Sequence, residues 1–154
     1  AVLSSTFSIS VLKAETALDA PTGFVAIKPD NVEWTANPNV PGLFSAILFG
    51  APQGRGPILI RYKLPANIQI FPHVHIEART YNVLRGEWKL GFGEKFNPDR
   101  LLSFHKGSAF RLPGGVIHYQ VAGPDGAIIQ IEMIGPLSIE FIDPDKKWNF
   151  PHDD

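Results

Sequence analysis

Cysteine is missing altogether from the 154 residues. Its absence removes disulfide scaffolds, thiolate nucleophiles and thiolate metal sites, and leaves the redox compartment open. An excess of one charge is missing too: the formal net charge is −1 and no basic run exceeds two residues. Neither a nucleic acid nor an anionic membrane is therefore expected as a partner. No apolar stretch approaches the length of a membrane span. Convincing amphipathic helices are lacking as well, with one or two helical turns at most near Ala14–Asp19, and no internal repeat is seen. No Ser-His-Asp or Cys-His arrangement supplies a nucleophile.

What the chain does have is apolar residues and turn formers. At 44% hydrophobic, its length gives one domain able to bury a core. Fourteen prolines and fourteen glycines are spread throughout, which speaks for many turns. Apolar or alternating runs fall at Phe24–Lys28, Leu43–Gly50, Ile58–Lys63, Tyr81–Leu84 and Glu87–Leu90. They continue at Leu101–Phe104, Ala109–Leu112, Val116–Val121, Ala127–Ile134 and Leu137–Ile142. The separators include Pro41-Gly42, Asn97-Pro98-Asp99, Pro113-Gly114-Gly115, Gly123-Pro124-Asp125-Gly126 and Asp143-Pro144-Asp145. About ten short strands at this spacing predict an all-β sandwich or barrel. Residues 23–145 are read as the barrel, 1–22 as an arm, strand or residual signal segment, and 146–154 as a tail. Within the first segment, the uncharged stretch Ala1–Leu12 fits the end of a secretory signal, while Phe7, Ile9 and Val11 alternate as in a strand.

Three of the five histidines stand where two strands would aim them at one point. In Phe71-Pro72-His73-Val74-His75 the two imidazoles share a strand face. In Pro113-Gly114-Gly115-Val116-Ile117-His118, a proline and two glycines set a tight turn before the third. Converging neutral imidazoles each donate a lone pair, which is what a transition metal requires.

These phrases resemble the two motifs of the cupins, small jelly-roll β-barrels. His73-Val74-His75 through Gly86-Glu87 matches the first motif. Gly107, Pro113, Gly115 and His118 match the second without a gap, and twenty residues separate the two. The resemblance covers roughly Lys28 to Ile142. Arg79 to Trp88, followed by Gly91-Phe92-Gly93-Glu94-Lys95-Phe96, is similar to small, often exported bacterial cupins with mostly unassigned substrates. The resemblance implies an all-β, single-domain jelly-roll barrel holding one divalent transition metal ion, Fe, Mn, Ni, Zn or Cu. It also implies a periplasmic or secreted location, with a cytoplasmic one as the alternative, and a homodimer paired through sheet edges and terminal strands.

Two positions depart from the family pattern. The usual glutamate, seven residues before Gly86, is replaced by Arg79, and the terminal asparagine, four after His118, by Ala122. Glu77, two residues beyond His75, lies on the same face if the strand stays regular. His73, His75, Glu77 and His118 then form an N₃O site; if the strand breaks, three histidines and water remain. Arg79 is read either as an anion-binding fork near the cavity or as the partner of Glu77 or Glu87 on the rim. Parity with His118 makes Gln120 the leading substrate-pocket residue, with Tyr81 next. For Gln130 and Glu132, inner and outer faces are equally open. Gly91-Phe92-Gly93-Glu94-Lys95 reads as a turn, and His105 and His152 as solvated. A site with open metal positions suits a dioxygenase-like enzyme on small molecules. The alternatives are a Lewis-acid isomerase or lyase, and a non-catalytic ligand-binding or metal-sensing module.

Overall fold

The computed structural model describes residues 20–151. The expectations for Ala1–Leu12, for a turn at Ala14–Asp19 and for His152 lie outside the described residues. Among the described residues, ten strands form one continuous, curled antiparallel sheet: β1 (Thr35–Ala36), β2 (Phe44–Phe49), β3 (Pro57–Leu64), β4 (Gln69–Val74), β5 (Arg79–Phe92), β6 (Leu102–His105), β7 (Ala109–Leu112), β8 (His118–Ile134), β9 (Glu140–Phe141) and β10 (Trp148–Asn149). The path β1-β2-β3-β8-β4-β10 carries most of them. The fold is the all-β jelly roll that the turn spacing and the two motifs predict.

Alternation of side chains builds the core. Ile58 and Ile60 of β3 and Ile129, Ile131 and Met133 of β8 are buried across an unbroken register from Pro57↔Ile134 to Leu64↔Ala127. Their neighbours Gln130 and Glu132 stand on the outer face, Gln130 accepting a hydrogen bond from Arg61 Nε at 2.8 Å and Glu132 exposed. In β5 the buried set is Arg79, Tyr81 and Val83, then Trp88 and Leu90. Odd positions give way to even ones because the register with β8 slips between Val83 and Trp88. Gly86 (φ 72°) sits in that slip, where an added Cβ would lie 2.1 Å from the Gly126 carbonyl. The slip turns the Trp88 indole inward.

Three expectations change. The Gly123-Pro124-Asp125-Gly126 phrase does not end a strand: it bends β8, whose first part pairs with β4 and β5 and whose second part pairs with β3 and β5. Phe24–Lys28 forms no strand with any of the described residues; Phe24 and Val25 are exposed, and a short 3-10 turn follows at Pro29–Asn31. The stretch read as a tail contributes β10, which pairs with β4 through Trp148↔Ile70.

Candidate metal centre

β4 and β8 bring the histidines together. His73 lies directly opposite His118 in the register, and a bulge between Ile70 and His73 shifts parity so that Ile70, His73 and His75 all reach the interior. β4 ends at Val74, so His75 stands in the bend beyond it. Two contacts fix it there: its carbonyl accepts from the Gly115 N–H at 2.8 Å, and its Nδ1 donates to the Ser138 carbonyl at 2.6 Å. Gly114 is needed for this approach, since a Cβ on it would lie 2.1 Å from the Ile76 carbonyl. The glycines of the second motif therefore lock onto the chain just beyond the first.

The three rings form a close triangle, with centroids 4.3 Å apart for His73–His118, 5.0 Å for His73–His75 and 5.1 Å for His75–His118. One ligand nitrogen from each lies within 4.8 Å of the others. All three are buried, at 2%, 5% and 0% exposure. Each Nδ1 is committed to a carbonyl: His73 to Phe71 at 2.7 Å, His75 to Ser138 at 2.6 Å and His118 to Val116 at 2.9 Å. That leaves the Nε2 lone pair of each ring free. His118 Nε2 is buried with no hydrogen-bond partner among the described residues. Burial, reinforced by His118, lowers the His73 pKa to about 3 against the pull of the Phe71 carbonyl. Burial and then the Arg79 charge lower that of His75 to about 3, and burial lowers that of His118. The rings are thus neutral, buried and oriented, which fits a bound divalent transition metal ion.

Glu77 is not brought into this group. Because the strand breaks after Val74, its carboxylate turns to Arg79 and Ser138 instead of continuing the histidine face. It accepts from Arg79 Nη2 at 2.5 Å and Nε at 3.0 Å, from the Ser138 N–H at 3.1 Å and from Ser138 Oγ at 2.5 Å. Burial alone raises the Glu77 pKa, but the Ser138 and Arg79 hydrogen bonds outweigh it and hold the carboxyl below its usual value. The N₃O reading is replaced by three histidines with an ion pair behind them. Arg79 pairs with Glu77, buried at 5% exposure rather than on the rim; it also donates to the Ser138 carbonyl at 2.9 Å and is among the residues lining the cavity.

Ser138 is the residue that sequence reasoning passed over. It touches His75, Glu77 and Arg79 at once, yet in the sequence it is one polar position in an apolar run. Glu87 belongs to a separate rim cluster with Ser103, Lys89 and the exposed His105. Beside the histidines lies a cavity of about 250 Å³, mostly apolar, whose polar lining includes Tyr62, Arg79, Tyr81 and Gln120. The pocket residues expected from parity, Gln120 and Tyr81, both line it. Burial raises the phenol pKa of Tyr62 and of Tyr81.

No protein-family model matches the sequence, and none of the curated proteins does. Solved structures do match. An RmlC-like cupin from Ralstonia eutropha is 15% identical over 83% of this chain and 76% of its own, with a TM-score of 0.62. The polyketide cyclase RemF from Streptomyces resistomycificus is 20% identical over 78% and 86%, with a TM-score of 0.62. A candidate acetylacetone dioxygenase from Methylibium petroleiphilum is 19% identical over 84% and 88%, with a TM-score of 0.60. The chain has the cupin fold.

Proposed function

We propose that this protein is a metal-dependent enzyme acting on a small molecule, of dioxygenase-like type. His73, His75 and His118 would hold one divalent transition metal ion, and the adjoining cavity would hold the substrate. The observation that carries this reading is the commitment of all three Nδ1 atoms to carbonyls in a buried site where one ligand nitrogen from each ring lies within 4.8 Å of the others. A metal held by three protein ligands keeps open positions, and there it supplies redox or Lewis-acid chemistry.

The chain's own residues do the rest. The carbonyls of Phe71, Ser138 and Val116 fix ring orientation and tautomer. Glu77 and Arg79 hold Ser138, and through it His75. Apolar side chains form most of the cavity wall, and Gln120 and Tyr81 are among its few polar lining residues. The acetylacetone dioxygenase description of one structural neighbour supports oxygen chemistry, and the cyclase description of another supports a Lewis-acid reading.

The test is oxygen uptake by protein loaded with Fe(II), screened against β-diketones, phenols and sugar acids. Consumption of oxygen in proportion to substrate lost is expected for at least one class. Turnover that proceeds equally well without oxygen would reject the dioxygenase reading in favour of the Lewis-acid one. No turnover with any class would favour a binding module.

A further inference from the structure

One phenol in the wall of the cavity is uncommitted. Tyr62 shares the inner face of β3 with the buried Ile58 and Ile60, and it stands opposite the buried Ile129 of β8. It lines the same cavity as His73, His75 and Arg79. The Tyr81 hydroxyl is engaged by Arg79 and Gln120, whereas that of Tyr62 has no hydrogen-bond partner among the described residues. Nor is the Tyr62 oxygen sealed away. The side-chain atoms that are both sealed and partnerless among the described residues are nitrogens of Trp88, His118 and Gln120. A hydroxyl on the inner face, open and unpaired, has the cavity to face. Burial raises its pKa, so at neutral pH it is a hydrogen-bond donor.

Arg79 gives this wall its sign. Its Nε and Nη2 serve Glu77 and the Ser138 carbonyl, and Nη1 takes part in neither bond. The ion pair is not electrically silent toward the cavity. At the Tyr62 hydroxyl the Arg79 charge outweighs that of Glu77, and at Tyr81 the Arg79 charge acts without a Glu77 counterpart. The guanidinium is thus the end of the pair nearer to both phenols. We propose that the cavity binds a small organic anion, a carboxylate or enolate, with one oxygen accepting a hydrogen bond from Tyr62 in the positive field of Arg79. This deepens the reading of the cavity as the substrate pocket and rests on it. An anion enters an apolar cavity only where opposite charge and donors offset its lost hydration. Arg79 and Tyr62 supply both, and a divalent ion on the histidines adds charge of the same sign. Size limits the ligand: an apolar cavity of roughly 150 Å³ takes a benzene, and here the volume is about 250 Å³, which suits a one-ring or short-chain acid.

Fluorine NMR titration of the chelator-treated and the Zn(II)-loaded protein with 3-fluorobenzoate, 3-fluorobenzamide and 3-fluorotoluene tests this. In the chelator-treated form no bound metal draws the anion, and the benzoate should still bind at least about fivefold more tightly than the amide. Tyr62→Phe removes the hydroxyl and keeps the ring. It should weaken the benzoate at least about fivefold in both forms while leaving the toluene within about twofold, because only a hydrogen bond to a charged oxygen is lost. Since the hydroxyl has no protein partner, the melting temperature should stay within about 2 °C of the parent, which a structural role would not allow. Amide binding as tight as benzoate binding, unchanged benzoate affinity in Tyr62→Phe, equal weakening of all three probes with a lowered melting temperature, or no binding by any probe would overturn the proposal. Zn(II) content of the same preparations separates the two readings. Bound Zn(II) without an anion preference rejects this inference alone, and a Tyr62-dependent anion preference in protein that retains no metal rejects the metal reading alone.

Discussion

Glu77→Gln isolates the ion pair behind the histidines. The carboxylate receives four hydrogen bonds, two from Arg79 and two from Ser138, and both charged side chains are nearly inaccessible, at 6% for Arg79 and 7% for Glu77. Glutamine keeps the shape but removes the charge, leaving the Arg79 guanidinium buried without its anion. Breaking a buried pair from one side costs about 3–5 kcal/mol. Since the amide retains one acceptor oxygen, the lower end applies, about 3 kcal/mol. For a chain of this size that lowers the melting temperature by about 6–12 °C. Differential scanning calorimetry reads it directly. The double variant Glu77→Gln/Arg79→Met removes both charges, so it should be more stable than the sum of the single losses by at least about 1 kcal/mol. Because Ser138 also accepts from His75 Nδ1, Glu77→Gln should weaken metal affinity about 10–100-fold without changing the number of nitrogen ligands seen by X-ray absorption. A melting temperature within about 2 °C of the parent, with strictly additive losses, would refute the assignment of a structural ion pair.

Other consequences follow from the same geometry. Gly114→Ala places a methyl 2.1 Å from the Ile76 carbonyl and 3.3 Å from the Ala78 nitrogen, both backbone atoms that cannot swing aside. It should cost about 1–3 kcal/mol in chemical denaturation and loosen metal binding through His75. The metal-free protein should lose stability in acid. The pKa values of His73 and His75 fall from 6.5 to about 3 on folding, so between those limits the unfolded chain takes up protons that the folded chain refuses. Stability is complete above about pH 6.5 and declines below it by up to about 1.4 kcal/mol per pH unit for each histidine. A melting temperature independent of pH from about 7 to 4.5 would contradict that.

The phrases containing His73, His75 and His118 were legible because two short motifs fix residue type and spacing at once. The alternation of Ile58 and Ile60, and of Ile129 and Ile131, separated the two faces of the sheet for the same local reason. Which face is inner is decided by the pairing of β3 with β8 and the burial it produces. Glu77 was misplaced because its direction depends on where β4 stops, and Val74 carries no local sign of a strand end. What ends the strand face is tertiary: Ser138 and Arg79 reach in from elsewhere and take the carboxylate. Gly123-Pro124-Asp125-Gly126 has the composition of a connection, yet β8 continues through it because partners on both sides carry the pairing across the bend. Trp88 illustrates the limit of parity. Its inward direction is set by the register slip around Gly86, and alternation counted along the strand from Tyr81 would have turned it outward.

Elemental analysis of purified protein, as isolated and after incubation with Fe(II), Mn(II), Ni(II), Zn(II) or Cu(II) followed by dialysis, tests the central claim most directly. A site made by His73, His75 and His118 predicts close to one divalent transition metal ion per chain, lost in a folded His118→Ala variant. Protein that retains none of these ions, or a His118→Ala variant that retains as much as the parent, would contradict it.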